Sequence, residues 1–131
     1  MTSLMKGGCA CGEVRYESNV EPAFSLICQC RQCQRITGSG HAAQFALPVE
    51  AVSLTGEVKF FELTSDDGNA VSSGFCPNCG SPLFKKTSGV PQFLFFHAAT
   101  LDEPGTFNPQ FVVWNASKQP WDHVNPALPL R

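Results

Sequence analysis

The sequence predicts an all-β fold, and three observations carry that expectation. Short apolar or alternating runs recur along the 131 residues, with Gly, Pro, Asn and Asp clusters between them at intervals of roughly eight to twelve residues. No stretch keeps an apolar stripe at helical spacing long enough for a substantial amphipathic helix. Two cysteine pairs, Cys9-Ala10-Cys11 and Cys76-Pro77-Asn78-Cys79, each offer two sulfurs from a glycine-flanked turn, so that one tetrahedral ion can join them. With 43% hydrophobic residues and eleven Phe, the chain can fill one core, and residues 1–131 read as a single zinc-stapled domain.

In chain order, Gly7-Gly8 gives the first cysteine pair a permissive backbone, and Glu13-Val14-Arg15-Tyr16-Glu17 alternates as a strand does. Phe24 to Ile27 is a short strand leading into Cys28-Gln29-Cys30-Arg31-Gln32-Cys33. Gln34 to Thr37 suits one helical turn, closed by Gly38 and Gly40. His41 to Leu47 resumes a strand that Pro48 should stop. Residues 52–54 and 58–63 flank Thr55-Gly56-Glu57, which suits a hairpin loop, and Ser65 to Asn69 is a second turn. Ala70 to Phe75 enters the second cysteine pair, and Pro82 to Lys86 leaves it. Gln92 to Ala99 is apolar on both faces, as a central strand requires, and Phe111 to Trp114 follows a turn-rich connection. From Gln119 onward the Pro-rich tail reads as irregular.

A formal net charge of −2 without any Lys/Arg run argues against a nucleic-acid surface or an anionic membrane as partner. No run approaches the roughly 20 apolar residues of a membrane span, and Met1 to Gly8 lacks the apolar middle of a secretion signal. The expected compartment is the cytosol. There thiols stay reduced, and seven cysteines, an odd number, favour metal binding over a disulfide framework. A redox-active pair within residues 28–33 is the competing reading.

The seven cysteines divide into four and three. Cys9, Cys11, Cys76 and Cys79 would saturate one zinc ion and leave no position for water or substrate, which makes that site structural. Cys28, Cys30 and Cys33 offer three sulfurs and an open position, the arrangement of catalytic zinc. Three thiolates on a dication carry a net charge of about −1, which weakens water activation. Such a centre suits a fourth thiolate, so the expected substrate is a thiol or its adduct, and the expected reaction makes or breaks a carbon–sulfur bond. Gln29, Thr37 and Ser39 are candidate donors to a developing alkoxide, and Arg31 and Arg35 candidate holders of a substrate carboxylate. The alternative is that His41, His97 or His123 closes the three-sulfur shell and makes a second staple.

Taken together, Gly7-Gly8-Cys9-Ala10-Cys11-Gly12, the run Cys28 to Cys33 with Thr37-Gly38-Ser39, Gly74 to Leu83, Thr100-Leu101-Asp102 and Ser117 to Trp121 resemble the glutathione-dependent formaldehyde-activating family, also called the centromere protein V family. The resemblance spans nearly the whole chain. It implies a β-tent zinc fold with the same division of cysteines, and a carbon–sulfur lyase activity in which glutathione and formaldehyde give S-hydroxymethylglutathione. One position departs from the pattern, because this chain has Gln29 where relatives usually carry His, and an amide does not titrate. Two other function classes compete. One is a non-catalytic zinc module that binds a protein partner. The other, methionine sulfoxide reduction, needs a redox cysteine outside both clusters and ranks last.

Overall fold

A computed structural model describes residues 4–131, and among these the architecture is two β-sheets with one short helix. The smaller sheet contains β1 (Met5–Gly8), β2 (Arg15–Ser18) and β5 (Val52–Thr55), in the order β1-β2-β5 and antiparallel throughout. The larger sheet contains β3 (Phe24–Cys28), β4 (Ala42–Pro48), β6 (Lys59–Thr64), β7 (Ala70–Phe75), β8 (Pro82–Thr87), β9 (Phe93–His97) and β10 (Phe111–Val113), in the order β10-β3-β4-β9-β8-β7-β6. Only the β10–β3 pairing is parallel. The all-β expectation holds.

The two faces of the larger sheet have different work, and the alternation of side chains assigns each residue to one of them. Phe45 and Leu47 of β4, Leu94 and Phe96 of β9 and Phe84 of β8 point to one side, where they pack with Val14 and Tyr16 from the smaller sheet. Phe96 lies at the centre of this core, its ring centroid 4.2 Å from Tyr16 and 5.0 Å from Phe84. Leu26 and Cys28 of β3, Ala42 and Ala46 of β4 and Phe95 of β9 point to the other side and gather around Cys33. Because β9 has a buried residue on each face, its apolar run is continuous, as its central place in the sheet demands.

The helix α1 spans Arg31–Thr37. It begins three residues earlier than the sequence suggested, because Cys30 acts as its N-cap and its sulfur accepts the Cys33 N–H at 3.3 Å. It stops at Gly38, which takes the left-handed conformation (φ 70°) that side chains avoid. The hairpin expected around Gly56 does not form. β5 joins the smaller sheet and β6 the larger, so this turn hands the chain between sheets. Gly56 is required there by its positive φ of 93° and by the Glu13 carbonyl oxygen, 2.2 Å from where a Cβ would sit. β4 ends with Pro48 as its last residue, where the sequence placed its stop.

The tail is irregular but anchored. The Val112 N–H donates to the Pro129 carbonyl at 2.8 Å, and the Arg131 N–H to the Val112 carbonyl at 2.8 Å. The Arg131 guanidinium lies 4.6 Å from the Phe111 ring centroid. No helix among the described residues is long and apolar enough to cross a membrane.

Candidate metal centres

Cys9, Cys11, Cys76 and Cys79 come together, with all four sulfurs within 4.8 Å of one another. Cys9 and Cys11 sulfurs are 3.5 Å apart, and Cys11 and Cys76 sulfurs 3.8 Å. A regular ZnS4 tetrahedron with Zn–S bonds of about 2.3 Å has edges of about 3.8 Å, so these two edges fit a zinc shell. Two turns build it. In the first, Cys9 N–H donates to the Val14 carbonyl and Val14 N–H to the Cys9 sulfur, with Gly12 at φ 83° making the reversal. In the second, Cys76 N–H donates to the Ser81 carbonyl and Cys79 N–H to the Cys76 sulfur, with Gly80 at φ 79°. Ser81 ties the turns together, its hydroxyl oxygen accepting the Ala10 N–H at 3.0 Å and lying 3.2 Å from the Cys79 sulfur. That hydroxyl contact is the largest of the influences holding the Cys79 thiol down to about 5.

Cys28, Cys30 and Cys33 form the second cluster, again with all sulfurs within 4.8 Å. Cys28 ends β3, Cys30 caps α1 and Cys33 lies in its first turn, so the strand-to-helix junction aims all three at one point. No His, Asp or Glu atom joins them at that distance among the described residues. His41 instead pairs with Asp122, Nδ1 to Oδ2 at 2.8 Å. Hydrogen bonds from Cys28 and Cys33 pull the Cys30 thiol down to about 2, whereas the same contacts push Cys28 and Cys33 up. Three sulfurs this close to one another cannot all ionise readily without a cation among them. Holding three thiolates takes a dication, and the donor set matches a soft ion such as zinc.

Sequence reasoning missed Lys85. Alternation on β8 places it beside Phe95, its register partner, and its ammonium lies 3.9 Å from the Cys33 sulfur. Burial alone would lower its pKa, but the charge of Cys33, Cys28 and Cys30 outweighs this and holds it above the ordinary lysine value. An isolated Lys in a strand gives no spacing signal, so only the pairing of β8 with β9 reveals it. His97 is buried on the same sheet face as Phe95, and desolvation followed by the Lys85 charge lowers its imidazole to about 4.

A cavity of about 320 Å³ opens beside the three sulfurs. Phe24, Phe95, Phe111 and Trp114 supply aromatic wall, and Gln44 and Lys85 polar groups within it. Trp114 is the only non-glycine residue at positive φ (59°) among the described residues, the kind of backbone strain that accumulates at binding sites. A larger cavity of about 660 Å³ lies against Lys6, Glu21, Asp102 and Phe107, but it touches none of the seven cysteines.

The expected oxygen donors and anion holders lie elsewhere. The Thr37 hydroxyl donates to the Cys33 carbonyl at 2.8 Å and accepts the Ser39 N–H, closing the helix end. Arg31 hydrogen-bonds the Gln34 side chain, and Arg35 is exposed. Gln29 is buried, but it borders a separate cavity with Gln119, Asp122 and His123. None of Gln29, Arg31, Arg35, Thr37 and Ser39 lines the cavity beside the three sulfurs.

The remaining motifs are latches. Tyr16 and Thr100 hydroxyls meet at 2.6 Å, Leu101 is in the core, and Asp102 receives both terminal nitrogens of Arg15 at 2.9 and 2.5 Å. Gln34 donates to the Ser117 carbonyl at 2.9 Å and accepts from Gln119 at 3.0 Å, which joins α1 to the C-terminal segment.

A family model described as glutathione-dependent formaldehyde-activating enzyme matches residues 4–117. A Penicillium rubens protein, named as a candidate glutathione-dependent formaldehyde-activating enzyme, is 28% identical over 106 residues, which are 79% of this chain and 55% of that protein. The chain thus spans little more than half the length of that curated relative. A crystal structure of a Rhodobacter sphaeroides protein superposes with a TM-score of 0.61 over 97% of this chain and all of that one, at 20% identity, and so shares the fold.

Proposed function

The chain belongs to the glutathione-dependent formaldehyde-activating enzyme family, and from that premise we propose that it is a zinc-dependent carbon–sulfur lyase acting on a small thiol, such as glutathione, and its aldehyde adduct. One observation supports the reading: three cysteine sulfurs converge beside a cavity with no fourth Cys, His, Asp or Glu ligand among the described residues, while four others gather as a set that could complete a tetrahedral shell. Cys9, Cys11, Cys76 and Cys79 would hold a structural zinc ion. Cys28, Cys30 and Cys33 would hold a second, which when bound supplies a coordination position where a thiol keeps a nucleophilic, deprotonated sulfur.

The chain's own residues supply the rest. Lys85 offsets negative charge beside Cys33, and without it a fourth thiolate would meet an uncompensated anionic centre. The aromatic wall excludes water from the carbon under attack, which protects the adduct from exchange. His97 stays neutral near pH 7, so Lys85 is not repelled by a second cation. In the forward direction a carbon–sulfur bond forms, the carbonyl π pair moves onto oxygen, and the proton lost by the thiol ends on that oxygen. The reverse step releases aldehyde and thiol. A reducing compartment such as the cytosol would keep all seven thiols available.

Metal analysis of the native chain and of Cys30→Ser, joined to a titration with glutathione, tests this reading. The expected result is two zinc ions per native chain and one per variant, with cooperative melting kept and glutathione binding lost. Two ions in both proteins, or unchanged glutathione binding by the variant, would contradict it.

A further inference from the structure

Gln44 is 1% exposed, and neither heteroatom of its side-chain amide has a hydrogen-bond partner among the described residues. Burying such a group unpaired costs folding free energy, so its presence calls for a ligand that completes it. Its register partners across β3 and β9 are Leu26 and His97, which puts it on the sheet face that carries Cys28 and Phe95. It lines the cavity beside the three sulfurs. An amide offers one donor group and one acceptor, and a hydroxyl is the simplest partner that can both accept and donate.

The wall around it narrows the ligand further. Phe24, Phe95, Phe111 and Trp114 are far more surface than a one-carbon aldehyde can cover, and Lys85 is the only cation in the lining. Asp66 and Asp67 lie at the same cavity, so the carboxylates of a peptide thiol are unwelcome there. The thiol's polar body must extend outward, which leaves the apolar volume for the carbon partner.

We propose that this cavity selects thiol adducts of aldehydes bearing an apolar, aryl-sized side chain, with the adduct's hydroxyl held by Gln44 and the side chain against Phe24, Phe95, Phe111 and Trp114. The inference rests on the thiol-adduct function above and specifies its substrate class. The chemistry is R–SH + R′–CHO ⇌ R–S–CH(OH)–R′: the C–S bond forms, the carbonyl π pair becomes an oxygen lone pair, and the thiol proton finishes on that oxygen. Gln44 binds and orients the product hydroxyl without itself changing protonation.

Calorimetric titration of the zinc-loaded protein with stable thioethers tests the wall. S-(2-phenylethyl)glutathione should bind at least about tenfold more tightly than S-methylglutathione, because one buried phenyl group contributes that much. Gln44→Leu tests the amide. It should weaken binding of the phenylacetaldehyde–glutathione adduct roughly three- to tenfold, the worth of a hydrogen bond, and leave S-(2-phenylethyl)glutathione, which lacks the hydroxyl, unchanged. Gln44→Leu should also raise Tm by roughly 3–6 °C, since an unpaired buried amide is removed; a residue present only for structure would lower it. Gln44→Met serves the same comparison should the leucine variant fail to fold. Equal affinity for the two thioethers, or equal loss of both phenyl ligands on substitution, overturns the selectivity while glutathione binding through Cys30 leaves the thiol function standing. Absence of any glutathione binding removes both.

Discussion

Lys85 is the cation beside the three-cysteine cluster: its ammonium lies 3.9 Å from the Cys33 sulfur, and it is partly buried and close to the Phe95 ring. Lys85→Met keeps the length of the side chain and removes the cation. Thiol binding by that variant should weaken and move toward higher pH by about one pH unit, since an opposite charge at this range favours the ionised thiol. A pH series of glutathione titrations reads this, and an unmoved midpoint would show that Lys85 only packs on Phe95. His97 gives a second expectation at the same scale. Its imidazole is held at about 4 in the folded chain against an ordinary value near 6.5, so the unfolded chain binds more protons between those two values. The folded state therefore loses stability as pH falls from 6.5 to 4, by on the order of 3 kcal/mol at most, and the loss levels off below. Denaturant melts of the native chain and His97→Phe should diverge in this window, with the variant less acid-sensitive. Lys85 could not be assigned from spacing, because an isolated Lys in Pro82–Thr87 acquires meaning only when β8 and β9 are laid side by side; His97 was legible as a candidate on the face of Phe95, but its closeness to Lys85 was not.

The helix α1 is the element on which the candidate active site depends, since its N-cap and first turn supply two of the three sulfurs. Its boundary was misjudged from sequence for a physical reason: a cysteine is a poor N-cap by propensity, and only the sulfur's bond to the Cys33 N–H makes it one here. The strands were easier to read because alternation and turn residues fix them locally. Which sheet a strand joins depends on distant partners, and this is why β5 and β6 were expected to pair with each other. Two glycine substitutions separate backbone strain from crowding. Gly38→Ala would place a Cβ in open space at φ 70°, so the cost is conformational alone, about 1–2 kcal/mol by chemical denaturation. Gly7→Ala would place a Cβ 2.3 Å from the Tyr16 hydroxyl oxygen and 2.4 Å from the Thr100 carbonyl oxygen, so the latch between the smaller sheet and Leu101 must open. Its cost should exceed that of Gly38→Ala, and the reverse order would show that the latch yields freely.

Across the whole molecule, the larger sheet separates architecture from chemistry. One face carries the main core beside the four-cysteine shell, and the opposite face carries the three-cysteine cluster and its cavity. The division of seven cysteines into four and three was legible in the sequence because ligand spacing in a turn is a local property. The cavity was not, because its wall draws on β3, β8, β9, β10 and the Ser65–Asn69 turn, which are brought together only by strand order. Of the oxygen donors expected near the cysteines in sequence, Thr37 closes the helix end, and Gln29, which precedes α1, borders a neighbouring cavity. Cys79→Ser should lose one metal ion and cooperative folding together, because the shell it breaks joins turns distant in sequence; a cooperatively melting Cys79→Ser would count against a structural role. The most direct test of the unequal pair of sites is the average number of sulfur ligands per zinc, read by X-ray absorption before and after glutathione is added. A full shell and a three-sulfur shell predict an average of about 3.5 rising to about 4. A value of 4 before glutathione, or no rise after it, would contradict the account.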